Sequence, residues 1–345
     1  MPSSRLVLLL LGVGLASASA CAPRPLTPLA TDPRPFEADW SAPLQRQHPL
    51  VGRILDVKGR RWIDQATLDA ALARADVSVL GEVHDNPDHH LLQAREIRAV
   101  AAAGRTPALA FEMLSTPQQE KVDAARAAPG ATADSIAEAV EWSKSGWPAF
   151  PLYRPVFEAG LSARLPLVAA NLSRAAAREM MKKGVEALSE EVRAWMARAP
   201  EPTPAELAQL RREMAGDHCG ELPEEMVKPL VQAQRARDAT LAARTAAAAG
   251  ERGALLVAGD GHARNDRGVP AWLARELPGK TVLAVGHLEV KAGMKHPDDY
   301  AAEAGGALPF DYVIFTPGAA REDPCLELKK KMDEKKAAGA PARPG

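Results

Sequence analysis

The sequence has 345 residues, which fits one large domain or two small ones. Hydrophobic residues make up 46% and charged residues 25% of the chain, a composition typical of globular proteins with enough apolar side chains for a core. The formal net charge of -1 provides no broad basic surface, so we expect no nucleic-acid partner.

Residues 1–21 have the pattern of an export signal. Arg5 precedes an apolar run at 6–15 that is too short to span a bilayer, and the small residues Ala18 and Ala20 follow it. Cys21 directly after Ala20 suits a lipoprotein cleavage site, where a lipid on this cysteine would anchor the protein to a membrane without spanning it. Cleavage by an ordinary signal peptidase, with plain secretion, is the alternative.

Two segments flank the predicted folded part, which covers residues 50–318. Residues 22–49 contain seven prolines and are expected to form a stiff, extended tether. Residues 319–345 end in a tail rich in lysine, alanine and proline, which predicts disorder. Cys219 and Cys325 could pair in an oxidising compartment or could both stay free.

Within the folded part, short apolar runs alternate with amphipathic patterns. The apolar runs are continuous, as in strands buried on both faces, and lie at residues 77–80, 108–111, 167–170, 254–258, 281–285 and 311–315. Amphipathic helices are predicted at 65–74, 89–103, 117–127, 152–163 and 267–277. The alternation predicts an α/β fold with a mostly parallel sheet flanked by helices. Residues 173–250 show helical patterns alone, which predicts an inserted helical subdomain.

Polar residues follow four of the predicted strands. The first strand runs into Gly81-Glu82-Val83-His84 and the fourth into Gly259-Asp260-Gly261-His262, while Glu112 and Asn171 follow the second and third. Parallel sheets bind ligands at the carboxyl ends of their strands. A lone turn glycine or histidine is usually structural, but two matched Gly-x-x-His turns with nearby carboxylates favour a functional site where the turns meet.

Several neighbouring residues have a simpler structural interpretation. Asn86 and Pro87 suit the cap and first position of a helix, which places His89 and His90 in its first turn, where only one of them should face the site. Asp217-His218-Cys219 lacks a companion motif, and Arg237-Asp238 resembles an ordinary solvent-facing pair. No nucleotide-binding loop, serine-hydrolase elbow or His-Glu-x-x-His helix occurs in the sequence.

As an ordered set, these motifs resemble the ChaN-type iron-regulated lipoproteins over about residues 48–318. The resemblance rests on Leu80 to His90 with Gln93, Ala110 to Leu114, Trp147-Pro148, Tyr153-Arg154-Pro155, Ala169 to Leu172, Asp217 to Gly220, Gln234 with Arg237-Asp238, and Gly259 to Arg264. The superfamily includes Tiki proteases, TraB-type proteins and erythromycin esterases. The resemblance implies a parallel sheet with a small helical domain, haem binding by a homodimer, and a role in haem or iron acquisition.

The resemblance also adds residues to the candidate site. The expected ligand-binding residues are Glu82, His84, His89, Glu112, Asn171, His218, Arg237, Asp260, His262 and Arg264. Haem iron in such a protein is expected to be held by tyrosine, and the chain has three, of which Tyr153 lies in a family motif and is the chosen haem ligand.

Two functions follow for this sequence. The first is an exported haem-binding lipoprotein in haem or iron acquisition, held at the outer membrane by a lipid on Cys21 and facing the periplasm. The alternative is an enzyme, a metal-dependent hydrolase in which a divalent metal is bound by Glu82, His84, Glu112 and His262. A purely structural envelope protein is a third possibility.

Overall fold

The computed structural model of the protein describes residues 33–199, 202–217, 224–322 and 325–326. The predicted export signal, Cys21, the first part of the tether, His218 and most of the tail lie outside these residues. Cys325 is disulfide-bonded. No helix among the described residues is both long enough and apolar enough to cross a membrane.

A single eight-stranded sheet forms the centre of the described fold. In chain order its strands are β1 (Ile54–Asp56), β2 (Arg61–Ile63), β3 (Val77–Glu82), β4 (Ala108–Ser115), β5 (Leu167–Asn171), β6 (Ala254–Gly259), β7 (Val282–Glu289) and β8 (Tyr312–Thr316). They lie in the order β2-β1-β8-β7-β3-β6-β4-β5. Strands β3 to β8 are parallel, whereas β1 is antiparallel to both of its neighbours. The predicted α/β class with a mostly parallel sheet is confirmed.

Helices cover both faces of the sheet. They are α1 (Gln65–Arg74), α2 (Pro87–Ala102), α3 (Gln119–Ala127), α4 (Ala133–Ala139), α5 (Phe150–Ser162), α6 (Arg174–Lys183), α7 (Glu190–Arg198), α8 (Pro204–Asp217), α9 (Glu224–Ala249), α10 (Asp260–Ala263), α11 (Val269–Glu276) and α12 (Pro297–Glu303). One hydrophobic core joins α1, α2, α4 and α5 to one face of the sheet, and a second joins α6, α7, α9, α11 and α12 to the other.

Successive side chains of a strand enter the two cores alternately. Val77 and Val79 belong to one core and Leu80 to the other, because side chains of a strand point to opposite faces. Both faces of β3 are therefore buried, which explains its largely hydrophobic sequence. The short strands β1 and β2 were not predicted, since three residues are too few to show a pattern.

The stretch between β5 and β6 contains α6 to α9. The long helix α9 packs on β4, β5 and β6. Its sheet-facing side is built from alanines, including Ala236, Ala239 and Ala242, which are all fully buried. Small side chains let the helix backbone approach the sheet closely. Helix α9 thus links the helical stretch to the strands that carry the candidate site.

The segment before β1 is docked on the domain. The backbone N–H of Phe36 donates to the carbonyl of Gly52, and Leu44 forms an antiparallel bridge with Gly318. Asp88 accepts hydrogen bonds from the backbone N–H groups of Ser41 and Ala42 at 2.7 and 3.0 Å. Residues 33–49 were predicted to belong to an extended tether, and this part of the prediction is wrong because their backbone groups bond to the folded domain.

The start of the predicted tail is also held. The backbone N–H of Ala319 donates to Glu289, and the guanidinium of Arg321 bonds to both Asp85 and Glu289. Arg321 thereby ties the chain beyond β8 to the turn that follows β3. The prediction of disorder is therefore wrong for residues 319–322, because these contacts hold this part of the chain against the domain.

Replacing Asp88 by alanine should destabilise the protein. Asp88 is 1% exposed, and its loss leaves the N–H groups of Ser41 and Ala42 without their acceptor. We expect the free energy of unfolding to fall by about 1–3 kcal/mol in urea denaturation. Protease cleavage within residues 33–48 should become faster. Asp134→Ala removes an exposed ion pair with Arg154 and, as the matched control, should cost less than about 1 kcal/mol. Equal stability of the two variants would contradict this role of Asp88.

Candidate functional site

The two Gly-x-x-His turns lie side by side at the carboxyl edge of the sheet. Strands β3 and β6 are paired in parallel so that Glu82 lies opposite Gly259. The connection after β3 runs to β4 and the one after β6 runs to β7, in opposite directions across the sheet. Right-handed crossovers then place their helices on opposite faces, which opens a crevice between the turns.

Glu112, in the carboxyl-terminal half of β4, joins the two turns. Its Oε2 accepts a hydrogen bond of 2.7 Å from the backbone N–H of Gly259. Its Oε1 lies 3.5 Å from Nε2 of His262, and its Oε2 lies 4.0 Å from Nε2 of His84. A Cβ at Gly259 would stand 2.8 Å from Nε2 of His84, so only glycine allows this approach. One buried carboxylate therefore contacts both turns.

A carboxylate on α9 orients His262. Nδ1 of His262 donates to Oδ1 of Asp238 at 2.7 Å, and the side-chain amide of Gln234 lies 3.1 Å from the same nitrogen. Burial raises the pKa of Asp238, and the charge of His262 offsets part of that effect. Burial alone would lower the pKa of His262, but Glu112 and Asp238 outweigh it and raise this pKa. Nε2 of His262 is left facing Glu112.

Glu82 anchors the first turn from beneath. Its Oε1 accepts from the hydroxyl of Tyr153 at 2.7 Å and from Nδ1 of His84 at 2.8 Å, while Nδ1 of His90 lies 3.1 Å from Oε2. Burial would raise the pKa of Glu82, but His90 and His84 hold it well below its usual value. The ring of His84 also packs edge-on against Trp147. The carboxylate thus fixes the orientation of His84.

His89 supports the turn and does not face the site. It is fully buried; the backbone N–H of Val83 donates to its Nδ1, and its Nε2 donates to the hydroxyl of Thr316 at 2.8 Å. Burial lowers the pKa of His89 well below its ordinary value. The prediction of His89 as a ligand-binding residue is wrong, because both ring nitrogens already have partners. His90 is equally buried, so the first turn of α2 presents neither histidine.

Tyr153 is not placed to hold haem iron. It is 0% exposed and its hydroxyl donates to Glu82. Burial, and then the charge of Glu82, raise the pKa of Tyr153 far above its ordinary value, which disfavours the phenolate. The choice of Tyr153 as the haem ligand is therefore wrong, since its oxygen is enclosed within the core.

An open cleft of about 490 Å³ lies above Glu112 and His262. Asn171, at the end of β5, and Arg237, on α9, both line it, as the resemblance suggested. The remaining lining residues are Met113, Ser115, Gln118, Lys144, Ser145, Trp147, Leu172, Arg174, Arg178 and Gln234. We refer to this space as the cleft.

Other predicted residues lie away from the cleft. Arg264 bonds to Asp266 through both Nε and Nη2, and its predicted ligand-binding role is wrong because its guanidinium is engaged in this pair. Asp260 lies beside Gly81, behind the turn, where burial raises its pKa to about 7. His218 falls outside the described residues.

The four predicted metal ligands bond mainly to one another and to the backbone. Among residues 33–199, 202–217, 224–322 and 325–326, no group of three or more histidine, cysteine, aspartate or glutamate side chains is arranged to hold a metal ion. Glu82 is occupied by Tyr153, His84 and His90, while Glu112 is held by Gly259. The arrangement supports proton transfer at Nε2 of His262 and ligand binding in the cleft.

Two residues that contribute to the site were missed by the sequence analysis. Asp238 was taken as half of a solvent-facing pair, yet it is 4% exposed and bonded to His262. Asp238 follows Gln234 by four residues, which places both on one face of the helix, and this spacing could have indicated a shared role. His287 donates from Nδ1 to the carbonyl of Gly81 and from Nε2 to Glu96, but nothing in its strand sequence indicates that role.

Comparisons with known proteins agree with this fold. Residues 68–273, more than half of the chain, match the family described as haem-binding uptake, Tiki superfamily, ChaN. The structure of ChaN of Campylobacter jejuni with cofacial haem is similar at 22% identity and a TM-score of 0.57, covering 76% of this chain and 95% of that one.

An erythromycin esterase, EreC, in its open conformation has a TM-score of 0.43 at 14% identity, covering 75% of this chain and 95% of that one. No curated protein is significantly similar in sequence.

Replacing His84 by glutamine should change how stability depends on pH. Burial alone would lower the pKa of His84, but Glu112 and Glu82 raise it from 6.5 to about 9. A raised histidine pKa stabilises the folded state fully below 6.5, and this contribution is lost as the pH rises to about 9. Urea denaturation between pH about 6 and 9 should show this loss in the original protein and a smaller one in His84→Gln. The exposed His296→Gln serves as control, and an unchanged slope in His84→Gln would refute the assignment.

Proposed function

Because this chain belongs to the haem-binding ChaN family of the Tiki superfamily, we propose that it binds haem at the cell envelope and serves haem or iron acquisition. Family membership is the observation that carries this proposal. The matched residues include β3 to β6 and the helices between them, so both the cleft and the helical stretch belong to the shared region.

The helical stretch offers a site of suitable size. A groove of about 1080 Å³ lies between α7, α8 and α9 and is called the helical groove. Its apolar walls include Ala197, Leu207, Val227 and Val231. This volume is at the upper end of that of small-molecule sites, and apolar walls suit the flat face of a porphyrin.

Charged and soft side chains complete the fit to haem. Arg212 and Lys228 line the helical groove and would pair with the two propionates. Methionine is one of the side chains that commonly ligate haem iron, and Met196 is the only residue of such a type among the described residues that line the helical groove. With Tyr153 enclosed in the core, we propose Met196 as the iron ligand. The homodimer that the resemblance implies is retained as part of the proposal.

The envelope location rests on the amino-terminal sequence. We propose that Cys21 is lipidated after cleavage of residues 1–20 and that the protein is an outer-membrane lipoprotein facing the periplasm. Because residues 33–49 dock on the domain, only residues 22–32 would connect it to the lipid. Eleven extended residues span at most roughly 40 Å, so the domain would stay close to the membrane surface.

Hemin titration of the purified full-length protein tests haem binding. We expect a saturable Soret shift at micromolar concentrations. Met196→Ala should change the Soret position and weaken binding on the order of tenfold, because the iron would lose its protein ligand. Met294→Ala, a partly buried methionine outside the helical groove, should behave like the original protein.

The outcomes separate two parts of the proposal. A titration that never saturates would contradict the proposal that the protein binds haem. Saturable binding that is unaffected by Met196→Ala would show that Met196 is not the iron ligand, while haem binding itself would still be supported.

Replacing Cys21 by alanine tests the envelope location. In a Gram-negative host, the original protein should carry the mass of a lipid on its first residue and sediment with membranes. Cys21→Ala should lack that mass and appear in the soluble fraction, because no anchor would remain. Mass spectrometry and fractionation check both expectations; a soluble, unmodified original protein would contradict lipidation and favour plain secretion.

A further inference from the structure

Three arginines line the cleft without a carboxylate partner. In the part of the chain that the structure describes, no carboxylate lies within ion-pair distance of Arg174, Arg178 or Arg237, all of which line the cleft. Lys144, on the same rim, differs because it pairs with Glu141. Three guanidinium groups around one opening favour a negatively charged ligand.

The acidic residues beneath the cleft do not neutralise these arginines. Glu112 is taken up by Gly259 and lies against both turn histidines, while Asp238 bonds to His262. These two carboxylates are therefore engaged by the backbone and the turn histidines, and neither is paired with an arginine of the rim. The excess positive charge remains at the rim, where a ligand would enter.

Asn171 adds a second, independent sign of a ligand. It is 6% exposed, it lines the cleft, and its Oδ1 has no hydrogen-bond partner among the described residues. Buried polar atoms are normally satisfied, so an acceptor left open beside a cleft suits a donor group of a ligand. A hydroxyl group would supply such a donor.

The backbone around Arg174 is shaped to hold its guanidinium. A Cβ at Gly146 would stand 2.7 Å from Nη1 of Arg174, and Gly146 has φ of +77°, a conformation that favours glycine. Arg174 is also the first residue of the ten-residue helix α6, whose amino-terminal dipole adds positive potential at the cleft. Gly146 thus leaves the room that the guanidinium occupies.

The cleft and the helical groove are separate sites. Arg237 lines the cleft, whereas Arg235 lines the helical groove. Two residues along an α-helix correspond to about 200°, which places these side chains on opposite sides of α9. A ligand in the helical groove therefore does not occupy the cleft.

We propose that the cleft is a second binding site for a small hydroxylated organic anion, such as a hydroxy acid or the phosphate ester of a polyol. Arg174, Arg178 and Arg237 bind its carboxylate or phosphate, and Asn171 accepts a hydrogen bond from its hydroxyl. The ligand would lie over His262 and Glu112. This site goes beyond haem binding and does not depend on it.

Calorimetric titration of the full-length protein with malate, succinate and inorganic phosphate tests the proposal. Malate and succinate differ by one hydroxyl, so malate should bind more tightly, on the order of tenfold. Arg237→Gln and Arg178→Gln should each weaken malate and phosphate binding on the order of tenfold or more. Asn171→Leu should remove the preference for malate over succinate. Arg178 is exposed, so its variant leaves the core intact.

Lys228→Gln, a cation of the helical groove, is the matched control and should leave malate binding unchanged. Hemin titrations of the arginine variants should match that of the original protein.

Absence of saturable malate and phosphate binding up to about 10 mM would overturn the proposal. Loss of haem binding in Arg237→Gln and Arg178→Gln would also overturn it, since the arginines would then bind the propionates of haem. Haem binding could fail altogether while malate still bound, so the two proposals fail separately.

Discussion

Glu112 is the buried charge on which the carboxyl edge of the sheet depends. A carboxylate removed from water is costly unless hydrogen bonds and opposite charges surround it. Here the amide of Gly259 and the imidazoles of His84 and His262 supply them. Satisfying this one side chain therefore brings β4 and the turns after β3 and β6 together at a single point. The cleft exists because these three chain segments cannot separate without leaving that charge either exposed to water or buried without partners.

A second set of buried polar contacts makes this edge rigid. Glu82 holds His84, His90 and Tyr153, and His287 links Gly81 to Glu96 from the neighbouring strand. Each histidine that supports the turns is bonded through both ring nitrogens or lies against a carboxylate, so its orientation is defined. Helix α9 then divides the space above the sheet. One side carries Arg237 to the cleft and the other lines the helical groove, so the two proposed ligands would lie on opposite sides of this helix.

Several features could be predicted because they depend on neighbours in the chain. Continuous apolar runs identified the six parallel strands, since burial on both faces leaves few polar positions. Asn86 caps α2 through a hydrogen bond from the N–H of Asp88, as its local sequence predicts. The short strands β1 and β2 were not predicted because three residues are too few to show a periodic pattern of hydrophobic residues. His89 and Tyr153 were assigned to the site because position in a motif does not reveal to which side of its helix a side chain points.

The sequence by itself determined the α/β class, the two matched turns and the family to which they belong. Those properties follow from local patterns of apolar residues, glycine and histidine. Only the tertiary structure decided which groups are buried and which partners satisfy them. Asp238 and His262 are 24 residues apart, and Tyr153 and Glu82 are 71 apart, so no local pattern indicates either bond. Burial sets the charge and availability of each side chain, and burial arises from contacts between segments distant in the chain.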